Sequence, residues 1–161
     1  MRNLPVDREI AAIVPTYSER GDNTLLYRRD GSCQSLPVKV ETVLRALIER
    51  KCEDLHLLRK WAQGYTRVKL WTPLAISWEL VLVPFKMRRP RVTGDTTMGY
   101  CSFAQITEVQ AAGRQTLLCL RSGKTLPVLW SFLTANEHLK NAFLMQAMMT
   151  NLLDDVILQR F

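Results

Sequence analysis

Histidine is scarce in this sequence, with only His56 and His138 among 161 residues. Two imidazoles leave little material for general acid–base chemistry near neutral pH. The four cysteines, Cys33, Cys52, Cys101 and Cys119, form no C-x-x-C pair, so the usual spacing of a zinc site is missing. They read instead as small, partly buried thiols in a reducing compartment. No apolar run approaches the roughly 18 residues needed to span a bilayer. The segment Met1 to Ile10 is too charged for a signal peptide, and the expected location is the cytoplasm. No G-x-S-x-G elbow is present. Glu137-His138 lacks the second histidine of a metalloprotease helix, and Glu53-Asp54 and Asp154-Asp155 are adjacent pairs that point in different directions on a helix. Ser122-Gly-Lys-Thr125 resembles the end of a phosphate-binding loop, but position 118, where the first glycine belongs, is Leu118. Its strand-like flanks make it a hairpin turn. No catalytic residue, metal or cofactor is expected, and the chain does not read as an enzyme. With no Pro/Gly-rich linker, low-complexity tract or internal repeat, residues 1–161 read as one domain.

What the sequence has is an ordinary globular composition, 47% hydrophobic and 23% charged. Its formal charge of +7 and pI near 9.5 favour an anionic partner. Short apolar runs at Ile10 to Pro15, Thr24 to Arg28 and Cys33 to Val38 flank the turn signal Asp30-Gly31. Val40, Val43, Leu44, Leu47 and Ile48 then recur at helical spacing, opposite Glu41, Arg45, Glu49 and Arg50. This amphipathic helix either runs on towards Trp61 or breaks near Glu53-Asp54, with Gly64 ending the segment. Tyr65 to Trp71 alternates apolar and polar residues up to Pro73, which predicts a strand carrying Arg67 and Lys69 on its wet face. Trp78 to Pro84 predicts a buried strand. Tyr100 to Phe103, Ala104 to Gln110, Thr116 to Leu120 and Thr125 to Val128 continue the series, with turns at Gly113 and Gly123. Thr134-x-x-Glu137 has capping-box form ahead of a helix in 131–161. Leu139, Ala142, Phe143, Met145, Met149, Leu152, Leu153 and Val156 make that helix apolar over more than one stripe, suited to the core or to dimerisation.

The densest chemistry lies in Phe85-Lys-Met-Arg-Arg-Pro-Arg91, where Lys86, Arg88, Arg89 and Arg91 fall within six residues. No acid occurs between Glu79 and Asp95, so the charge is locally uncompensated, and contact with phosphate is an economical reason to keep it. Arginine donates bidentately to phosphate or a guanine edge, and it enters the narrow minor groove of A·T-rich DNA. Pro90 stiffens the presentation. Arg114 and Lys124, in separate hairpin turns, extend this surface if both turns face the loop.

Val81-Leu-Val-Pro-Phe85, Arg88-Arg-Pro-Arg91, Tyr100-Cys-Ser-Phe103 and Ile106 resemble the competence transcription factor ComK family. So do Thr116-Leu-Leu-Cys-Leu-Arg-Ser-Gly-Lys-Thr-Leu-Pro127 and Ser131. Ile10 to Pro15 and Arg59-Lys-Trp-Ala-Gln-Gly-Tyr65 fall where that family has an apolar run and an Arg-Lys-x-Gly-type stretch. The likeness covers roughly residues 10–142 as short patches. Two departures stand out: Tyr100 or Phe103 replaces the family's tryptophan, and an apolar, Met-rich helix replaces its charged tail. The resemblance implies a multimeric regulator that reads A·T-rich sites, mainly through the minor groove, and activates DNA-uptake genes. A likeness to LytTR-type DNA-binding domains implies the same class of protein without that groove assignment. The expected fold is α+β: an antiparallel sheet or partly open β-barrel, one amphipathic helix and a C-terminal helix. The expected function is double-stranded DNA binding as a homodimer, with Arg88, Arg89 and Arg91 at a groove and Lys86, Arg67, Lys69, Arg114 and Lys124 around them. An adaptor that docks on an anionic membrane or acidic protein is the alternative.

Overall fold

The computed structural model describes residues 3–159, with side chains as far as Leu152. Among these residues nine antiparallel strands and three α-helices follow in the order β1 (Ile10–Ser18), β2 (Gly21–Arg28), β3 (Cys33–Leu36), α1 (Val40–Glu49), α2 (Leu55–Thr66), β4 (Leu74–Ser77), β5 (Leu80–Lys86), β6 (Met98–Ser102), β7 (Ile106–Ala112), β8 (Gln115–Leu120), β9 (Thr125–Val128) and α3 (Phe132–Gln159). The six-stranded sheet has the order β3-β2-β1-β6-β5-β4, and β7-β8-β9 forms a separate three-stranded meander. The fold is α+β as expected, but the large sheet ends at β3 and β4 and does not close into a barrel.

Both faces of the large sheet are covered, which explains the near-continuous apolar run of β5. On one face Leu80, Leu82, Met98 and Tyr100 pack with Val43, Leu44, Leu47 and Ile48 of α1. On the other Val81, Val83, Phe85 and Cys101 meet Leu118 and Leu126 of the small sheet and Ala135, Ala142 and Met145 of α3. Val40, Val43, Leu44, Leu47 and Ile48 of α1 are all buried, as their spacing requires.

Of the two alternatives for the helical region, the break near Glu53-Asp54 is the one present: Asp54 starts α2 by accepting a hydrogen bond from the Leu57 amide at 3.0 Å. Other boundaries differ from the sequence reading. Gly64 lies inside α2, which ends at Arg67 in the left-handed conformation (φ 57°). Tyr65 to Trp71 is therefore a helix end and an irregular segment; its alternation was real, but tertiary packing of α2 overrides it. Trp78 is an exposed turn residue between β4 and β5. At α3, Ser131 caps the helix, its Oγ accepting from the Thr134 amide at 3.2 Å, so Thr134 belongs to the first turn. The side chains of Leu153 and Val156 lie outside the described residues. Among the described residues no helix is long and apolar enough to cross a membrane.

Candidate nucleic-acid interface

The arginine-bearing loop, residues 87–97, joins β5 to β6, whose Lys86 and Met98 are paired. Beside them Ile13 of β1 pairs with Tyr100, and β1 runs on to Ser18 before turning into β2. The β1–β2 hairpin consequently overhangs the same end of the sheet as the loop. Packing of the hairpin against the loop is what gives the loop its shape.

Arg88 is the hinge of that packing. Its guanidinium pairs with Asp22 of β2 and donates to the Thr96 carbonyl, while the Asp22 carboxylate also accepts from the Thr96 amide at 3.1 Å. The two side chains are only 12% and 5% exposed. The Arg88 guanidinium is thus largely withdrawn from solvent and engaged within the loop, whereas the sequence reading expects it at a groove. One charge of the run, that of Arg88, is compensated by an acid 66 residues away in the chain, which local inspection of the sequence does not reveal. Burial opposes ionisation of Asp22, yet the Thr96 amide and Arg88 together hold its carboxyl below the ordinary carboxylate value.

Asp95 organises the loop tip. It accepts from the Tyr17 hydroxyl at 2.6 Å and from the Arg91 and Val92 amides at 2.9 and 3.1 Å. The Tyr17 hydrogen bond, with those amides, lowers the Asp95 carboxyl below its usual range. The guanidinium carbons of Arg88 and Arg91 lie 3.8 and 3.4 Å from the centre of the Tyr17 ring, within cation–π distance. Gly94 turns the chain back at φ 94°, and its carbonyl accepts from Lys39 at 3.2 Å. Arg89, Pro90 and Arg91 are left at the exposed tip.

The remaining candidates divide. Lys86 is half-buried, and its carbonyl accepts from the Leu129 amide at 2.7 Å. Val128, next to Leu129, pairs with Thr116, which brings Arg114 and its turn to the Lys86 end. Lys124 lies at the other end of β8, 5.7 Å over the Tyr27 ring, in a turn whose Ser122 faces Gly31. Arg114 and Lys124 therefore do not form one surface, and Lys124 is remote from the loop. Arg67 and Lys69 are exposed on the α2–β4 connection, where the Lys69 carbonyl accepts from Gln63. Tyr17, Asp22, Asp95 and Lys39 are supports of the loop that the sequence reading missed. Only Asp95 carried a local signal, an acid following Gly94 at a distance suited to capping backbone amides.

Among the described residues no group of three His, Cys, Asp or Glu side chains is arranged to hold a metal ion. Cys33 and Cys52 are exposed, whereas Cys101 is buried, and burial pushes its thiol up. Compared with family models, curated proteins and solved structures, the chain matches none.

Proposed function

We propose that the protein binds double-stranded DNA as a transcriptional regulator, with Arg89 and Arg91 as the leading contacts. The observation that carries this reading is the construction of the loop. Arg88, Asp22, Asp95 and Tyr17 are used to hold a tip at which two arginines flank a proline in solvent. A surface kept charged only for solubility has no need of such bracing. A phosphate-binding surface gains from it, since preorganised guanidinium groups lose little entropy on binding. Lys86 and Arg114 extend the surface on one side. Arg67 and Lys69 contribute on the α2–β4 connection, while Lys124 lies outside the surface.

The preference for A·T-rich promoter sites and the activation of DNA-uptake genes rest on the resemblance to the ComK family. Dimerisation rests on α3, which turns Leu133, Phe143, Leu144 and Leu152 outward; Leu133 is 75% exposed. Outward apolar residues repeated along one helix can serve association with a second copy. The test is fluorescence anisotropy with A·T-rich and scrambled duplexes. Arg89→Ala/Arg91→Ala is expected to lose most of the affinity, and Arg89→Lys/Arg91→Lys to keep affinity but lose discrimination between the duplexes. Unchanged binding by the double alanine variant removes the loop from the interface.

A further inference from the structure

Behind the loop lie two adjoining depressions of about 240 and 350 Å³, a size that suits a small ligand. Both are lined by Glu41, Arg59, Trp71 and Tyr100; the larger adds Lys69, and the smaller is closed by residues 94–98 of the loop's return limb. Arg59 and Lys69 supply two cations to the walls. Two carboxylates stand against them, and both are already engaged: Glu41 pairs with Arg45 at 3.0 Å and lies 3.9 Å from Arg59, and Asp95 accepts from the Tyr17 hydroxyl and the Arg91 and Val92 amides. Lys69 pairs with no carboxylate among the described residues.

Trp71 adds a second peculiarity. It occupies the left-handed region at φ 55°, which is costly for a bulky side chain, and strain of this kind clusters at functional sites. The strain holds a large ring 45% exposed at the mouth of the depression, although Thr72 and Pro73 immediately after it are buried. Tyr100, rising from β6, is almost wholly buried and directs its hydroxyl towards Arg59. An open indole face, two cations and a phenol thus converge on one space.

We propose that this depression is a binding site for a small anion carrying an aromatic ring. The ring lies against the Trp71 indole, the anionic group sits between Arg59 and Lys69, and the Tyr100 hydroxyl donates to it. Because Gly94 to Thr97 form one wall, occupancy restrains the limb that carries Asp95 and, through Asp95, the Arg91 backbone. Only the consequence for duplex affinity rests on the DNA-binding reading; ligand binding itself does not.

Phenyl phosphate is a suitable probe, compared by calorimetry with phenol and with inorganic phosphate on the full chain. The site predicts saturable binding of phenyl phosphate at least about tenfold tighter than either fragment, since ring and anion contribute together. Lys69→Gln and Arg59→Gln are each expected to weaken it by about tenfold, and hydrogen exchange should slow at residues 94–97. Lys69 is exposed, so that variant keeps the test valid if Arg59→Gln fails to fold. Binding no tighter than that of inorganic phosphate, or unchanged by Lys69→Gln, overturns the site. Phenyl phosphate binding in a protein that ignores every duplex would sink the DNA reading and leave the pocket standing.

Discussion

Arg88 and Arg89 are neighbours in opposite surroundings, one packed against Asp22 and one in solvent, and substituting each is expected to separate stability from the proposed binding. Arg88→Ala leaves the Asp22 carboxylate buried without its cation, which is expected to cost about 3 kcal/mol in urea unfolding. Arg89→Ala, at an exposed position, should stay within about 0.5 kcal/mol of the parent while weakening duplex binding. The Asp22 carboxyl is lowered in the folded protein, so its contribution is present above the unfolded carboxyl value, near pH 4, and disappears as pH falls through the lower folded value. Asp22→Asn should consequently be less stable than the parent at pH 7. The gap between the two should close as acid protonates Asp22, and a gap that does not narrow on acidification would contradict the pairing.

The β5–loop–β6 unit depends on how closely its strands approach. A Cβ added to Gly99 would run into the Met87 sulfur and come within 3.0 Å of the Ile13 carbonyl. Met87 can move, but the β1 backbone cannot, so Gly99→Ala is expected to cost about 1–3 kcal/mol by overpacking. Thermal melts of this variant would read that cost, and an unchanged midpoint would show that β1 and β6 yield. Elements whose character is set by their own residues were legible from the sequence: α1 through its spacing, the Gly31, Gly113 and Gly123 turns through their positive φ, and β5 through its apolar run. What escaped was set across the fold. The Arg88–Asp22 pair joins distant segments, and α2 absorbs Tyr65 and Thr66 because Leu55, Leu58 and Ala62 are buried. Gly64, read as a stop, sits on the exposed side of α2, where the missing side chain leaves packing untouched.

At the scale of the whole molecule, charge is distributed unevenly. Lys86, Arg89, Arg91 and Arg114 gather at one end of the large sheet, whereas Lys124 lies at the other, beside Tyr27. A net charge of +7 steers the protein to an anionic surface from a distance, and the braced end presents Arg89 and Arg91 together at an exposed loop tip. Self-association through α3 is the second whole-molecule expectation. Leu133→Lys/Leu144→Lys, at outward positions, should shift sedimentation towards the monomer without lowering helix content, and an unchanged distribution would assign the association to another surface. The central claim, that Arg89 and Arg91 meet DNA phosphate, is tested most directly by the salt dependence of duplex affinity in the parent and in Arg89→Ala/Arg91→Ala. The account predicts a linear fall of log K with log[salt] whose slope shrinks in the variant by about 0.9 for each phosphate that the arginines had neutralised. Identical slopes in the two proteins would contradict it.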